Sequence, residues 1–349
     1  MRSRASGERG DFELRRRPVW KMSAQAVLFL AGLCSLTGCK ANSNEARGDA
    51  GNPAAVSAAA PGAAQSGAED APAPDSTGGF DGKLAFEHVA KQVGFGPRPS
   101  GSQAIAQTQD YILAQLKSGG CTTEVDSFNA DTPIGRLPMK NMLVKIPGDD
   151  SSIILLGTHY DTLLRNDIRF VGANDSGSST AVMLELARLL CAKHGKHPVW
   201  IAFFDGEEAM KKWSETDSRY GSRQMAARFA ASGDISKIKA FLLADMVGSR
   251  SLHFAQEASS TKSLVDLMWA TAARLGYSDV FVNTSSAAED DHDSFLKRAV
   301  PSIDVIDFDQ TRDVPFWHTA EDTLDKISAR SLATSGHVFL ETVKELQKQ

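Results

Sequence analysis

The chain predicts an α/β fold, a central β-sheet flanked by helices on both faces. Three observations carry that expectation. From residue 84 onward, short apolar segments alternate with amphipathic ones, the order of strands and covering helices. Several short segments, such as Val199 to Phe204, are apolar without a break, as strands buried on both sides are. Residues 1–80 show neither period, so the pattern belongs to one domain, residues 81–349.

Taken in order, the first segment reads as an export leader. Arg15-Arg16-Arg17 and Lys21 precede an apolar run from Ala24 to Leu36. That run is shorter than the roughly 20 residues a membrane span needs, and it suits the core of a signal peptide. It ends in Leu36-Thr37-Gly38-Cys39, which resembles a bacterial lipobox. Residues 1–39 are therefore expected to be a lipoprotein signal peptide, with a lipid on Cys39 anchoring an exported protein in the cell envelope. Arg16-Arg17 also resembles, loosely, a twin-arginine signal. Lys40 is not the Asp that retains such proteins at an inner membrane, so an outer-membrane or periplasm-facing position is expected. Residues 40–80, rich in Ala, Gly, Pro and Ser, bury too little apolar surface to offset ordering entropy and read as a disordered linker.

Beyond the linker, Leu84 to Val93 and Gln103 to Leu116 predict amphipathic helices, the second closed by Gly119-Gly120. Asn141 to Ile146 and Ile153 to Gly157 predict strands. Ser176 to Leu190 predicts a helix with Ser176 as N-cap. Strands follow at Val199 to Phe204, Ile238 to Ala244 and Ser302 to Ile306. Further helices are predicted at Ser218 to Ala231, Lys262 to Leu275 and Ala329 to Leu346.

Charge excludes one class of partner. The formal net charge is −5, but the seven basic and three acidic residues of 1–39 leave a downstream net of −9. Nucleic acid binding calls for basic patches, and the downstream sequence has no basic run. Of four cysteines, only Cys121 and Cys191 lie in the folded part. Two cysteines do not make a framework, and both a disulfide and a pair of thiols remain open.

The chemistry-bearing residues cluster where apolar strands open into loops. His159 and Asp161 follow Ile153 to Leu156, and Asp175 directly precedes a helix. Asp205, Glu207 and Glu208 follow Val199 to Phe204, and Asp245 ends another strand. Asp290-Asp291-His292 and Trp317-His318 complete the set. Ligands of α/β sheets bind at the carboxyl ends of strands. Imidazole and carboxylate are the ligands zinc takes in catalytic sites.

In the order His-x-Asp, Asp, Glu-Glu, Asp, His, these residues resemble the zinc aminopeptidase superfamily. In detail they look like the animal-type glutaminyl cyclases and their bacterial relatives. Phe203-Phe204-Asp205-Gly206-Glu207-Glu208-Ala209, Trp213 and Asp217 to Arg223 carry the resemblance most specifically. Twelve residues separate Glu208 from Gly221 and include Trp213, whereas aminopeptidases of the superfamily bridge that gap in a few.

The resemblance implies a mixed, zinc aminopeptidase-like sheet. It assigns Asp175, Glu208 and His318 to one zinc ion, Glu207 as general acid/base, Asp245 and Asp290 as acidic partners, and Trp213 and Trp317 as substrate-binding walls. The implied reaction converts the N-terminal glutamine of a peptide or protein to pyroglutamate with release of ammonia, on a monomer. The rival is a two-zinc aminopeptidase, with His159, Asp175 and Asp245 holding a second ion. A third reading is a non-catalytic surface binding protein, disfavoured because Glu207 and all three ligands are present. Two departures stand out. Thr158 and Thr180 occupy positions that animal cyclases join by a disulfide, and Asp313 stands where they carry a Phe.

Overall fold

Five apolar runs and one largely polar edge strand form a six-stranded mixed sheet. The computed structural model describes residues 68, 70–308 and 314–349. The leader, the lipobox and most of the linker lie outside them, as does Asp313. The strands are β1 (Thr123–Thr132), β2 (Gly135–Ile146), β3 (Ile153–His159), β4 (Val199–Phe204), β5 (Ile238–Asp245) and β8 (Ser302–Ile306). The β1–β2 and β2–β4 pairs are antiparallel, and β4, β3, β5 and β8 run parallel. All four parallel strands therefore open their carboxyl ends on the same edge.

Both faces of the sheet are buried, which explains the unbroken apolar runs. Ile154, Leu156, Ile201 and Leu242 face one core with helices α1 (Gly82–Phe95), α3 (Gly177–Leu190) and α7 (Ala329–Leu346). Their neighbours Leu155, Trp200, Phe241 and Leu243 face a second core with Met225 and Phe229 of α4 (Tyr220–Ser232) and with Phe295. The period of two sends alternate residues to opposite sides. Helices α2 (Gln103–Ser118), α5 (Lys262–Arg274) and the short α6 (Asp293–Leu296) complete the set.

Three strands escaped the sequence reading. β1 is an edge strand whose Thr-Glu-Val-Asp-Ser-Phe-Asn-Ala-Asp-Thr sequence is mostly polar, and only Ala130 in it is buried. β6 (Phe254–Glu257) and β7 (Phe281–Ser286) pair in a separate parallel ribbon. Short strands with polar outer residues give no apolar run to detect. Helix ends shift by a residue or two. Ser176 is not a side-chain cap, because its hydroxyl donates instead to the Asp161 carbonyl at 2.8 Å. Of the two alternatives for the cysteines, the disulfide is the one formed: Cys121 and Cys191 are bonded, 70 residues apart in sequence.

Part of the segment expected to be linker packs against the domain. Pro74–Thr77 forms a 3-10 turn, and the Thr77 hydroxyl donates to the Phe80 carbonyl at 2.6 Å. Asp70 accepts from Ser328 Oγ at 3.0 Å. Phe80 is fully buried in a notch left by Gly336, where a Cβ would lie 2.1 Å from its ring. Composition hid this because one aromatic anchor suffices to hold a short polar segment. Phe80→Ala should cost about 3–5 kcal/mol of unfolding free energy, the range for burying a void in place of a ring. Urea denaturation reads this directly, and a change under about 1 kcal/mol would return residue 80 to the tether.

Candidate metal and catalytic centre

Each parallel strand delivers an acid or imidazole to the shared edge. β3 ends in His159, β5 ends in Asp245, and Glu207 and Glu208 follow β4 by three and four residues. The turn before α3 brings Asp175 between them. That turn is held tightly. Gly172 has φ +51°, and a Cβ there would strike the Asp175 carbonyl, so only glycine fits. Buried Arg98 donates to the carbonyls of Val171 at 2.6 Å and Gly172 at 3.1 Å. Asp322 accepts from the backbone N–H of Asn174 at 2.7 Å and of Asp175 at 3.1 Å. Asp161 does the same for the β4 loop, accepting from the N–H groups of Glu207 at 3.1 Å and Glu208 at 3.3 Å. Thr158 and Thr180, at the positions of the absent disulfide, both donate to the His159 carbonyl at 2.9 Å. Hydrogen bonds thus tie β3 to α3 where animal cyclases were expected to use a covalent link.

The three expected ligands converge. His318 Nε2 lies 3.1 Å from Glu208 Oε1 and 3.2 Å from Asp175 Oδ2. On the other side of Asp175, His159 Nε2 lies 3.3 Å from Oδ1 and 3.1 Å from Asp245 Oδ1. Asp175 therefore joins two triads, Asp175–Glu208–His318 and His159–Asp175–Asp245, in each of which the ligand atoms lie within 4.8 Å of one another. Two ligands held about 2.0–2.1 Å from a tetrahedral zinc stand roughly 3.3 Å apart. The observed separations match that spacing, and the nitrogen and oxygen donors are those zinc takes. His318 sits at φ +54°, an uncommon backbone for a non-glycine residue. Arg165 holds it by donating to the His318 carbonyl at 2.8 Å, and Trp317 stacks on its ring at 4.1 Å.

Electrostatics set the protonation of the cluster. Burial works against a charged His318, but the Asp175 and Glu208 carboxylates push its pKa up to about 10. Burial also works against ionised Asp175, and its hydrogen bonds to His159 and His318 outweigh that, pulling its pKa below the usual carboxylate range. Glu208 is raised to about 7 by burial and by Asp175. Glu207 is held well above the carboxylate range, first by burial and then by Asp290, Glu208 and Asp291, with His159 opposing. Asp290 rises for the same reason, through burial and its neighbours Asp245 and Asp291. Glu207, Asp245 and Asp290 therefore share an acid-rich pocket with too few cations, the setting in which carboxyls retain protons.

A cleft of about 900 Å³ opens over these groups. Asp175, Glu207, Glu208, Asp245, Asp290 and His318 line it, as do Trp213 and Trp317. His159 is buried behind it. The residues assigned by resemblance as ligands, base, acidic partners and aromatic walls thus come to one place, whereas Asp205 lies apart from it, accepting from Ser100, Gln109 and Tyr160. The sequence reading missed Phe308, whose ring lies 5.0 Å from that of Trp317, and Asp304, buried on β8 and without a hydrogen-bond partner for either carboxylate oxygen among the described residues. Burial, followed by Asp290 and Asp245, holds Asp304 well above the carboxylate range. A lone acid inside the apolar run Ser302 to Ile306 was the available signal. Arg98 and Asp322 also escaped notice, and nothing local marks them.

A mixed sheet whose strand ends carry two interlocked carboxylate–imidazole triads defines the zinc aminopeptidase-like class. The model of peptidase family M28 matches residues 141–343. The glutaminyl-peptide cyclotransferase of Boiga irregularis is 31% identical over 283 residues, covering 70% of this chain and 76% of the relative. Among solved structures, Acidobacteriales bacterium glutaminyl cyclase is 42% identical with a TM-score of 0.73, covering 77% of this chain and 95% of that one. A Zn-dependent exopeptidase from Parabacteroides distasonis is 27% identical with a TM-score of 0.69, covering 76% and 98%. The chain belongs to peptidase family M28 and, within it, to the glutaminyl cyclases.

Proposed function

We propose that this chain is a zinc-dependent glutaminyl-peptide cyclotransferase that closes the N-terminal glutamine of peptides to pyroglutamate. The observation that carries the reading is the meeting of Asp175, Glu208 and His318 at zinc spacing beside Glu207. Zinc held by these three would polarise the side-chain amide and stabilise charge on its oxygen.

The chain's own residues supply the remainder. The reaction is intramolecular, so its barrier falls when the side chain is folded back onto its own amine. Trp213 and Trp317, both lining the cleft, give a flat apolar slot for that folded chain. The α-nitrogen bonds to the side-chain carbonyl carbon, and the bond from that carbon to the amide nitrogen breaks. Glu207 takes the proton from the attacking nitrogen and delivers it to the departing one, which leaves as ammonia. A carboxyl with raised proton affinity suits both halves of that transfer. Burial and the neighbouring acids Asp290, Glu208 and Asp291 keep Glu207 in that range, and Asp245 acts on Asp290 in turn.

The two-zinc aminopeptidase remains the second reading, favoured by one observation, the intact His159–Asp175–Asp245 triad. Purified protein incubated with Gln-β-naphthylamide and with Leu-p-nitroanilide separates the two. Ammonia from the first and no dye from the second is the expected result. Dye release without ammonia would replace the cyclase by the peptidase.

A further inference from the structure

The mouth of the cleft carries charge that the proposed reaction does not use. Its acidic residues are already engaged. Glu289 accepts from Trp213 Nε1 at 2.9 Å and lies 3.7 Å from Arg219 Nη2. Asp293 pairs with Arg219 Nη1 at 2.5 Å. Glu257 is buried and accepts from Ser259 and Ser260. Arg165, which also lines the cleft, is neutralised by Asp167 at 2.7 Å.

Two cations are left over. Lys211 and Lys212 line the cleft beside Trp213 and are exposed. Among the described residues, neither ammonium has an ion pair or a side-chain hydrogen bond. Their backbone is fixed, because Asp217 accepts from the N–H groups of Met210, Lys211 and Lys212 at 2.9, 3.0 and 2.9 Å. Those bonds and the Tyr220 hydroxyl, at 2.9 Å, occupy the Asp217 oxygens beneath the loop. The two lysines therefore stand, exposed, on a fixed loop that lines the cleft beside Trp213.

We infer that Lys211 and Lys212 select peptides carrying acidic residues directly after the N-terminal glutamine. The inference rests on the cyclase reading and adds a substrate class to it. With the glutamine side chain seated over the ligand cluster, the following residues pass this loop. A carboxylate there gains two unpaired cations, whereas an ammonium meets like charge. Exposed pairs of this kind are each worth a small factor, so the two together should give about a three- to tenfold preference at low salt. The preference should shrink as salt rises, because exposed charges are screened within about 10 Å at 0.1 M.

The test compares kcat/KM for Gln-Glu-Glu, Gln-Ala-Ala and Gln-Lys-Lys amides, read as ammonia release at two salt concentrations. It is applied to the native protein, to K211A/K212A and to K211E/K212E. Taking ratios between peptides within each variant removes any general loss of activity. The native protein should prefer the acidic peptide, the alanine pair should lose that preference, and the glutamate pair should reverse it. Equal kcat/KM for all three peptides in the native protein overturns the inference and leaves the cyclase standing. So does an acidic preference that survives charge reversal. Absence of ammonia from every peptide overturns the cyclase reading and this inference with it.

Discussion

Glu207→Gln should abolish most turnover of a glutaminyl peptide while leaving bound zinc in place. Glu207 lines the cleft but belongs to neither ligand triad. The neutral amide has nearly the same shape, so packing and ligand positions should persist, but it can neither accept nor return a proton. General acid–base catalysis contributes about 10²- to 10⁴-fold, and the loss in kcat should fall in that range. The comparison is kcat on Gln-β-naphthylamide beside zinc content by atomic emission. A variant that keeps more than about a tenth of native kcat would remove Glu207 from the proton transfer. Loss of zinc together with activity would show that Glu207 also holds the ion.

Asp175→Ala should empty the centre altogether. Asp175 is the one residue shared by the two triads, with Oδ1 toward His159 and Oδ2 toward His318. Removing it leaves each cluster two ligands, fewer than catalytic zinc sites use. On the one-zinc reading, zinc per chain should fall from about one to near zero after dialysis, with ammonia release falling below detection. Asp245→Asn gives the contrast, because Asp245 belongs to the His159 cluster alone. Under the one-zinc reading its zinc content equals that of the native protein. Under the two-zinc reading it drops by half. Full zinc retention by Asp175→Ala would dismantle the proposed ligand set.

Much of this centre could be read before any coordinates. An apolar strand and the acid or imidazole just beyond it are neighbours in sequence, so His159, Glu207, Glu208 and Asp245 announced themselves locally. The helix periods and the uninterrupted strands of the parallel half were equally local. Elements that depend on position in the sheet were less legible. β1 carries the composition of an edge, and edges need few apolar residues. The anchoring of Phe80 was hidden for a related reason, since its partner Gly336 lies more than 250 residues away.

By itself the sequence determined the α/β class and the acids and imidazoles that could hold a metal or move a proton, because side-chain chemistry and apolar period are properties of short segments. The tertiary structure alone decided which of those residues share an atom's reach, and that Asp175 serves two clusters at once. It also decided that Arg98 and Asp322 brace the Asp175 turn, that Asp304 sits against the acid pocket, and that two cleft-lining lysines have no ion pair among the described residues. Coulomb forces and hydrogen bonds act over a few ångströms of space. The chain brings groups 100 or more residues apart within that distance only when it folds.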